Sequence, residues 1–203
     1  MVCKIDGKTG MPAPIGSLLI LSGEIGSGKT TLLQNLISDL KSAGVQIQGL
    51  ISPPVLAHEE KIGIDLVNLQ TGEKRRFAEV NQNALTDLAT TRWRFDSEVV
   101  KWGNQILSHV DLCQLLIVDE FGPLEFERGI GLTQGLKTVD QRNFQCALLV
   151  VRPGMLSRAL DRWSDAEVFT MTRSTQMEML ASLRQRILDI LHASGVSENH
   201  LPQ

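Results

Sequence analysis

Long hydrophobic runs are absent from this 203-residue chain, and cysteine is scarce. No apolar stretch approaches the roughly 20 residues of a membrane-spanning helix, and the N-terminus lacks a signal-peptide core. We therefore expect no contact with a membrane. The three cysteines, Cys3, Cys113 and Cys146, are too widely separated for a disulfide framework or a metal site. Unpaired thiols of this kind are typical of a cytoplasmic protein.

An excess of basic residues is also missing. The formal net charge is −3, whereas a domain that binds nucleic acid normally carries a basic face. The charge therefore argues against a nucleic-acid partner. With 42% hydrophobic residues, the chain can bury one sizeable core. We expect a single domain at residues 17–195, a flexible N-terminal extension at 1–16 that is rich in glycine and proline, and a C-terminal tail at 196–203.

What the chain does contain is a glycine-rich loop between two regular segments. Residues 23–30, GEIGSGKT, fit the Walker A pattern G-x-x-x-x-G-K-[ST]. An apolar run at 17–22 is typical of a buried parallel strand, and apolar residues at helical spacing continue from Lys29 to about Ala43. Glycines let backbone N–H groups approach phosphate oxygens, and the positive end of a helix dipole favours an anion.

This context predicts a nucleoside triphosphate as the ligand. We expect the Lys29 amine to reach the β- and γ-phosphates and the Thr30 hydroxyl to bind Mg²⁺. The predicted nucleotide-binding residues of the loop are Gly23, Glu24, Ile25, Gly26, Ser27, Gly28, Lys29, Thr30 and Thr31.

A second motif, LLIVDE at residues 115–120, supplies carboxylates. Four apolar residues predict a strand, and Asp119 follows at its carboxyl end, where open parallel sheets bind ligands. Asp119 is therefore the second predicted Mg²⁺ ligand, at the Walker B position. Glu120 can orient or deprotonate an attacking water, which favours hydrolysis and makes Lys29, Asp119 and Glu120 the candidate catalytic residues. Alternatively, Glu120 only caps the turn at residues 121–123.

Strand-like and helix-like segments alternate along the chain, which is typical of an α/β fold with a mostly parallel central sheet flanked by helices. Alternating residues at 62–69 and a second short segment at 74–77, joined by Thr71-Gly72, predict a β-hairpin inserted between the parallel strands.

Transition-state charge calls for a cation besides Lys29, and an arginine is its usual source. The candidates are Arg92, Arg94, Arg152 and Arg173. Trp93 either fills the core or stacks on a nucleobase, since aromatic faces stack on any base.

Three blocks together resemble the thermophilic-type nucleoside-triphosphatase family, also called the cancer-related nucleoside-triphosphatase family. They are the loop GEIGSGKTTL, the pair GLISPPV at 49–55 and IGIDLVNLQTGE at 62–73, and IVDEFGPLE at 117–125. RWRFD at 92–96 is similar to a further family segment. Three positions depart from the family pattern: Lys61 stands where Arg is usual, Trp93 where Tyr is usual, and Pro54 replaces an acidic residue.

The resemblance implies a RecA-like P-loop NTPase fold. It also implies Mg²⁺-dependent hydrolysis of nucleoside triphosphates, ATP and GTP among them, to diphosphates and phosphate, with broad tolerance of the base. It adds a second nucleotide-adjacent segment, made of Leu116, Ile117, Val118, Asp119, Glu120, Phe121, Gly122 and Pro123.

Two other function classes share the phosphate loop. One is a nucleotide-binding adaptor in cofactor assembly, whose slow hydrolysis depends on a protein partner. The other is a small-molecule or nucleoside kinase, against which the DEFGPLE run around Glu120 argues. Both alternatives, a protein partner and the oligomeric state are left open by the sequence.

Overall fold

The computed structural model describes residues 16–81 and 92–195 of the chain. Apart from Gly16, the extension predicted at 1–16 lies outside these residues, as do the tail predicted at 196–203 and Cys3. In the described part of the chain, no helix is long and apolar enough to cross a bilayer.

Strands and helices alternate along most of the described chain. The strands are β1 (Ser17–Ser22), β2 (Ile47–Ile51), β3 (Pro54–Ala57), β4 (Glu60–Asn68), β5 (Lys74–Val80), β6 (Trp93–Phe95), β7 (Cys113–Phe121), β8 (Phe144–Val151) and β9 (Glu167–Thr170). The helices are α1 (Lys29–Ser42), α2 (Ser97–Ser108), α3 (Pro123–Phe126), α4 (Thr133–Gln141), α5 (Leu156–Arg162) and α6 (Gln176–Gly195), with a 3-10 turn at Pro153–Met155.

The strands of residues 16–81 and 92–195 form one sheet in the order β6-β5-β4-β2-β7-β8-β1-β9, and β3 pairs with β4 at its side. From β2 to β9 the neighbouring strands are parallel. From β2 to β6 they are antiparallel, and so is the β3–β4 pair. The predicted α/β fold with a central sheet flanked by helices is confirmed.

The antiparallel half of the sheet is larger than the predicted hairpin. Strands β4 and β5 form that hairpin, and β3 and β6 extend it to four strands, which we call the inserted module (54–80 and 93–95). β2 ends at Ile51, before Pro53-Pro54, and Pro54 begins β3. A proline is tolerated there because β3 pairs with β4 alone among the described strands.

Both faces of the parallel half are covered, which explains the continuous apolar run of β1. Leu18 and Ile20 pack in the hydrophobic cluster that contains residues of α2, α4 and α5. Leu19 and Leu21 pack in a second cluster with α1 and α6. Parallel strands between two helix layers lose the apolar-polar alternation of a half-exposed strand, so the polar side chains of the site lie at the strand ends.

Gly49 offers a test of how tightly β2 and β7 pack. It lies opposite Ile117 with φ of 109°, and a Cβ there would be 2.0 Å from the Ile117 carbonyl oxygen. Gly72 has φ of 78° with no atom within 4 Å of such a Cβ. We expect Gly49→Ala to lower the free energy of unfolding by about 3 kcal/mol or more, and Gly72→Ala by about 1–2 kcal/mol from backbone strain alone.

Urea unfolding followed by circular dichroism measures both variants. Equal losses would contradict the close approach of β2 to β7 at Gly49.

Candidate active site

The glycine-rich loop connects the carboxyl end of β1 to the first residue of α1, Lys29. Gly26 and Gly28 have φ of 78° and 94°, a region that side-chain-bearing residues rarely adopt. At Gly23, a Cβ would lie 2.4 Å from the Met171 carbonyl oxygen, so the loop is also packed against the segment after β9. The sequence pattern of the loop therefore has a steric reason at each of its three glycines.

The Lys29 side chain folds back over the loop. Its Nζ donates hydrogen bonds to the carbonyl oxygens of Gly23 (2.6 Å) and Glu24 (2.9 Å). Partial burial lowers the pKa of Lys29, while the negative charges of Glu120 and Asp119 raise it. The ammonium is thus held at the centre of the loop, within electrostatic reach of the acidic pair.

Ser27 contains an unsatisfied polar atom inside the same loop. Among the side chains that the structure describes, its Oγ is the one buried atom that has no hydrogen-bond partner. Buried hydroxyls are normally hydrogen-bonded to protein, water or ligand. The loop therefore retains hydrogen-bonding capacity that its own atoms do not use.

Asp119 is buried near the carboxyl end of β7, with 3% of its surface exposed. Its Oδ2 accepts a hydrogen bond from the Ser52 backbone N–H (3.1 Å), and the Ser52 hydroxyl donates to the Asp119 carbonyl oxygen (3.0 Å). Burial, followed by the negative charge of Glu120, raises the pKa of Asp119 to about 6, against opposing contributions from Ser52 and Lys29. Ser52 thus fixes the carboxylate from the adjacent strand end.

Glu120 forms an ion pair with Arg152, which follows β8 at the same edge of the sheet. The Arg152 Nε donates to Glu120 Oε1. The Arg152 backbone N–H donates to the Phe121 carbonyl oxygen (3.2 Å), which fixes the start of this side chain beside β7. Arg152, at the end of the neighbouring strand β8, therefore orients the Glu120 side chain.

The turn after β7 is stabilised by Glu125. Its Oε2 accepts from the Gly122 N–H (2.9 Å) and its Oε1 from the Leu132 N–H (3.0 Å). Burial raises the pKa of Glu125, and the backbone hydrogen bonds oppose this rise. The last residue of the DEFGPLE run therefore has a structural contact that accounts for its place in the motif.

A cavity of about 150 Å³ lies between these elements and the inserted module. Its walls are formed by the end of the phosphate loop at Thr30, by the acidic pair Asp119 and Glu120, by Arg152 and by aromatic residues of the inserted module. The lining residues are Thr30, Ser52, Lys61, Ile64, Phe77, Trp93, Phe95, Asp119, Glu120, Gly122, Pro123, Leu124, Glu125, Arg128, Leu132 and Arg152.

The donor set at this cavity suits a magnesium ion. Asp119 has a carboxylate and Thr30 a hydroxyl, which are oxygen groups of the kind that bind Mg²⁺, and both residues line the cavity. Two protein oxygens fit Mg²⁺, which usually takes one or two protein ligands and completes its shell with phosphates and water.

Other predicted residues lie farther from the cavity. Leu116, Ile117 and Val118 are fully buried in the core, so their side chains do not face a ligand, and their role in nucleotide binding stays a prediction. Phe121 is equally buried. In the loop, Glu24, Ile25 and Thr31 are exposed.

The four candidate arginines make different contacts. Arg173 Nε donates to the Gly26 carbonyl oxygen (2.9 Å), so Arg173 lies on the phosphate loop. Arg94 is exposed and lies 3.7 Å from Glu79, and the Arg92 guanidinium lies 5.1 Å from the Trp93 ring centroid. Arg152 alone of the four lines the cavity. Trp93 itself is buried in the cavity wall, which favours packing over base stacking.

The sequence does not reveal the contacts of Ser52 and Glu125 that shape this site. Ser52 lies 67 positions from Asp119, and no local pattern signals their contact. Glu125 belongs to the DEFGPLE motif, but the motif does not show its backbone partners. Lys61 stands out in the sequence only as a departure from the family pattern.

Comparison with known proteins places this chain in a family. The model of the NTPase family matches residues 18–190. The nucleoside-triphosphatase THEP1 of Caldivirga maquilingensis is 25% identical over 172 residues, which cover 85% of this chain and 97% of that protein. THEP1 of Thermofilum pendens is 25% identical over 175 residues, with 85% and 96% covered.

Two solved structures share the fold. The solution structure of a human cancer-related nucleoside triphosphatase has a TM-score of 0.69 at 21% identity, with 86% of this chain and 98% of that chain covered. The crystal structure of THEP1 from Aquifex aeolicus has a TM-score of 0.65 at 18% identity, with 83% and 98% covered.

Glu125 can be tested as the residue that holds the turn beside Glu120. We expect Glu125→Ala to lower the free energy of unfolding by about 2–4 kcal/mol, because two backbone N–H groups lose their buried acceptor. Glu127→Ala is the matched control, since Glu127 makes an exposed ion pair with Arg158 (3.3 Å) and should cost less than about 1 kcal/mol.

Chemical denaturation of both variants gives the comparison. A loss for Glu125→Ala no greater than that of the control would contradict the structural role of this carboxylate.

Proposed function

The chain belongs to the NTPase family, and we propose that its activity, the hydrolysis of nucleoside triphosphates to diphosphates and phosphate, takes place at the cavity beside Lys29, Asp119 and Glu120. One observation carries this proposal. Thr30, the residue after Lys29, lines the same cavity as the carboxylates Asp119 and Glu120 near the end of β7. A triphosphate in the loop would thus end beside the acidic pair.

Binding begins with the loop and the N-terminus of α1. The backbone N–H groups of residues 23–30 and the helix dipole would hold the phosphate oxygens. The Lys29 ammonium would exchange its hydrogen bonds to the Gly23 and Glu24 carbonyls for the β- and γ-phosphates. Since the same amine closes the loop before binding, the exchange needs only a short movement of one side chain.

Thr30 and Asp119 would hold Mg²⁺ beside the bound phosphates. The ion supplies neutralisation of phosphate charge. The burial of Asp119 supports this role, because a carboxylate whose pKa is raised to about 6 by desolvation gains stability from a nearby cation.

Glu120 would act on the attacking water. As the water oxygen forms its bond to the γ-phosphorus, the bond between that phosphorus and the β–γ bridging oxygen breaks, and a water proton passes to the Glu120 carboxylate. The diphosphate leaves with the bridging oxygen. Arg152 supports this step by orienting Glu120 through their ion pair.

Family membership favours hydrolysis over the adaptor and kinase alternatives. Broad base tolerance fits a loop that recognises phosphate oxygens, which all nucleoside triphosphates share. It is tested by comparing phosphate release from ATP, GTP, CTP and UTP. We further propose that residues 17–195 form one domain and that the protein is cytoplasmic. The free thiols of Cys113 and Cys146 support that location. Burial raises the pKa values of these two thiols to about 11 and about 12, which keeps them protonated near neutral pH.

Replacing Glu120 tests the chemical step. We expect Glu120→Gln to slow phosphate release by about 10²-fold or more, because the amide cannot accept the water proton. Nucleotide affinity should stay close to that of the wild type. Glu127→Gln, a carboxylate in the same region that does not line the cavity, is the control. Normal turnover of Glu120→Gln with normal binding would remove Glu120 from the mechanism.

Replacing Lys29 tests the binding step. We expect Lys29→Ala to weaken the affinity for a fluorescent ATP analogue by about tenfold or more, because charge-assisted hydrogen bonds to the phosphates are lost. Lys101→Ala is the control, since Lys101 is exposed and pairs with Glu98 on α2. Thermal unfolding without nucleotide checks that both variants fold. Unchanged affinity of the folded Lys29→Ala protein would contradict the assigned phosphate site.

A further inference from the structure

The inserted module and the phosphate loop lie on opposite sides of β7 in the sheet, and the module forms part of the cavity wall. Its contribution to the wall is mostly apolar, from Ile64 of β4, Phe77 of β5, and Trp93 and Phe95 of β6. Lys61, near the start of β4, is the one charged residue that the described part of the module adds to this wall. A single ammonium group therefore faces the acidic pair from an otherwise apolar surface.

The Lys61 ammonium lacks the partner that such a charge normally has. Its Nζ makes no hydrogen bond and no ion pair with the residues that the structure describes, and it lies 5.0 Å from the centroid of the Trp93 ring. Three other cations near the cavity are engaged. Lys29 is bonded to loop carbonyls, Arg152 to Glu120, and Arg173 to the Gly26 carbonyl.

The surroundings of Lys61 are unfavourable to a positive charge without an anion. Partial burial lowers the pKa of Lys61, and Arg92 and Arg152 lower it further, whereas the negative charges of Glu120 and Asp119 raise it. Desolvation of an ammonium is costly unless an anion compensates it. The structure thus keeps a partly desolvated cation at the cavity without a bonded anion from the described protein.

The backbone holds Lys61 in place. The residues just before β4, His58 and Glu59, have φ of 48° and 67°, as the central residues of a tight hairpin turn do. Lys61 is paired with Leu56 across this hairpin. A residue in a paired strand can present its amine to the cavity with less loss of freedom than a residue on a loop.

We propose that Lys61 is a further catalytic residue, which contacts the terminal phosphate from the side opposite Lys29 and stabilises the charge that develops during hydrolysis. This inference rests on the function proposed above. The terminal phosphate is the anion that the amine lacks, because a triphosphate held by the loop points toward the acidic pair that Lys61 faces. Lys61 would thus supply, within the same chain, the cation that an arginine finger supplies elsewhere.

The proposal also explains why an arginine is not needed for this task. Arg94 is exposed and lies beside Glu79, and Arg173 is bonded to the loop backbone. Arg152 lines the cavity, but its charge is already balanced by Glu120. Unlike these three arginines, Lys61 lines the cavity without a bonded anion among the described residues.

Three variants test the proposal: Lys61→Ala, Lys61→Arg and the control Lys74→Ala. Lys74 is an exposed lysine at the start of β5, on the same module and away from the cavity. We expect Lys61→Ala to reduce kcat by about tenfold or more while KM changes by less than about threefold, because the contact strengthens in the transition state. Lys61→Arg should recover most of kcat, and Lys74→Ala should behave as the wild type.

A binding measurement separates this role from a structural one. The affinity of fluorescent ADP is measured with Mg²⁺, in the presence and absence of aluminium fluoride, which mimics the transferring phosphoryl group. We expect Lys61→Ala to bind ADP alone as the wild type does, and to lose about tenfold or more of the extra affinity that aluminium fluoride confers.

Two outcomes would overturn the inference. One is a Lys61→Ala enzyme with the kcat of Lys74→Ala. The other is an equal loss of affinity for ADP with and without aluminium fluoride, which would assign Lys61 to the shape of the cavity. In either case, the proposed hydrolysis would still stand if the wild type releases phosphate and the Glu120→Gln variant does so more slowly. Absence of phosphate release by the wild type would instead refute the proposed function itself.

Discussion

The order of strands in the parallel half of the sheet is the constraint on which the candidate site depends. Strand β8 separates β1 from β7, so the phosphate loop and the acidic pair leave the same edge about 10 Å apart, two strand spacings. Arg152 leaves β8 between them. This arrangement brings two neighbouring carboxylates and several cations into a partly desolvated space, where the pKa of each ionisable group is affected by the charges of its neighbours. Asp119 has a raised pKa because burial and Glu120 outweigh Ser52 and Lys29.

The parts of this arrangement that could be predicted from sequence are those encoded within a few residues. The loop at 23–30 and the strand ending at Asp119 carry local patterns, and the confirmed α/β fold follows from their flanking periodicities. The contact of Ser52 with Asp119 joins positions 67 residues apart and depends on β2 lying next to β7. No local pattern encodes that adjacency. Strand β6 is not predictable from local sequence for the same reason, because its three residues form a strand by pairing with β5.

Apolar residues at helical spacing do not by themselves show which positions are buried. On α6, Leu183 and Ile187 are fully buried, whereas Met177 is 78% exposed. Met177 is the second residue of α6, and the apolar residues of this helix that are buried in the core lie farther along it. Glu125 shows the reverse case. Its place in an acidic motif suggests a catalytic role, yet its carboxylate accepts hydrogen bonds from the N–H groups of Gly122 and Leu132.

The unfavourable features of the structure are concentrated around one space. The Ser27 hydroxyl is buried without a partner, Asp119 is a carboxylate under a desolvation penalty, and Lys61 is an ammonium without a bonded anion among the described residues. Elsewhere, buried polar groups such as Thr138 and Asn68 are hydrogen-bonded. Groups left unsatisfied by the fold lower its stability until a ligand satisfies them, and a ligand that does so stabilises the folded state in return. A triphosphate with its metal carries both the negative oxygens that Ser27 and Lys61 lack and the positive charge that Asp119 lacks. The stability that these unsatisfied groups take from the unbound fold is thus the physical reason for ligand binding at this edge of the sheet. Exceptions to the packing rules that hold in the rest of a protein are expected at its functional site.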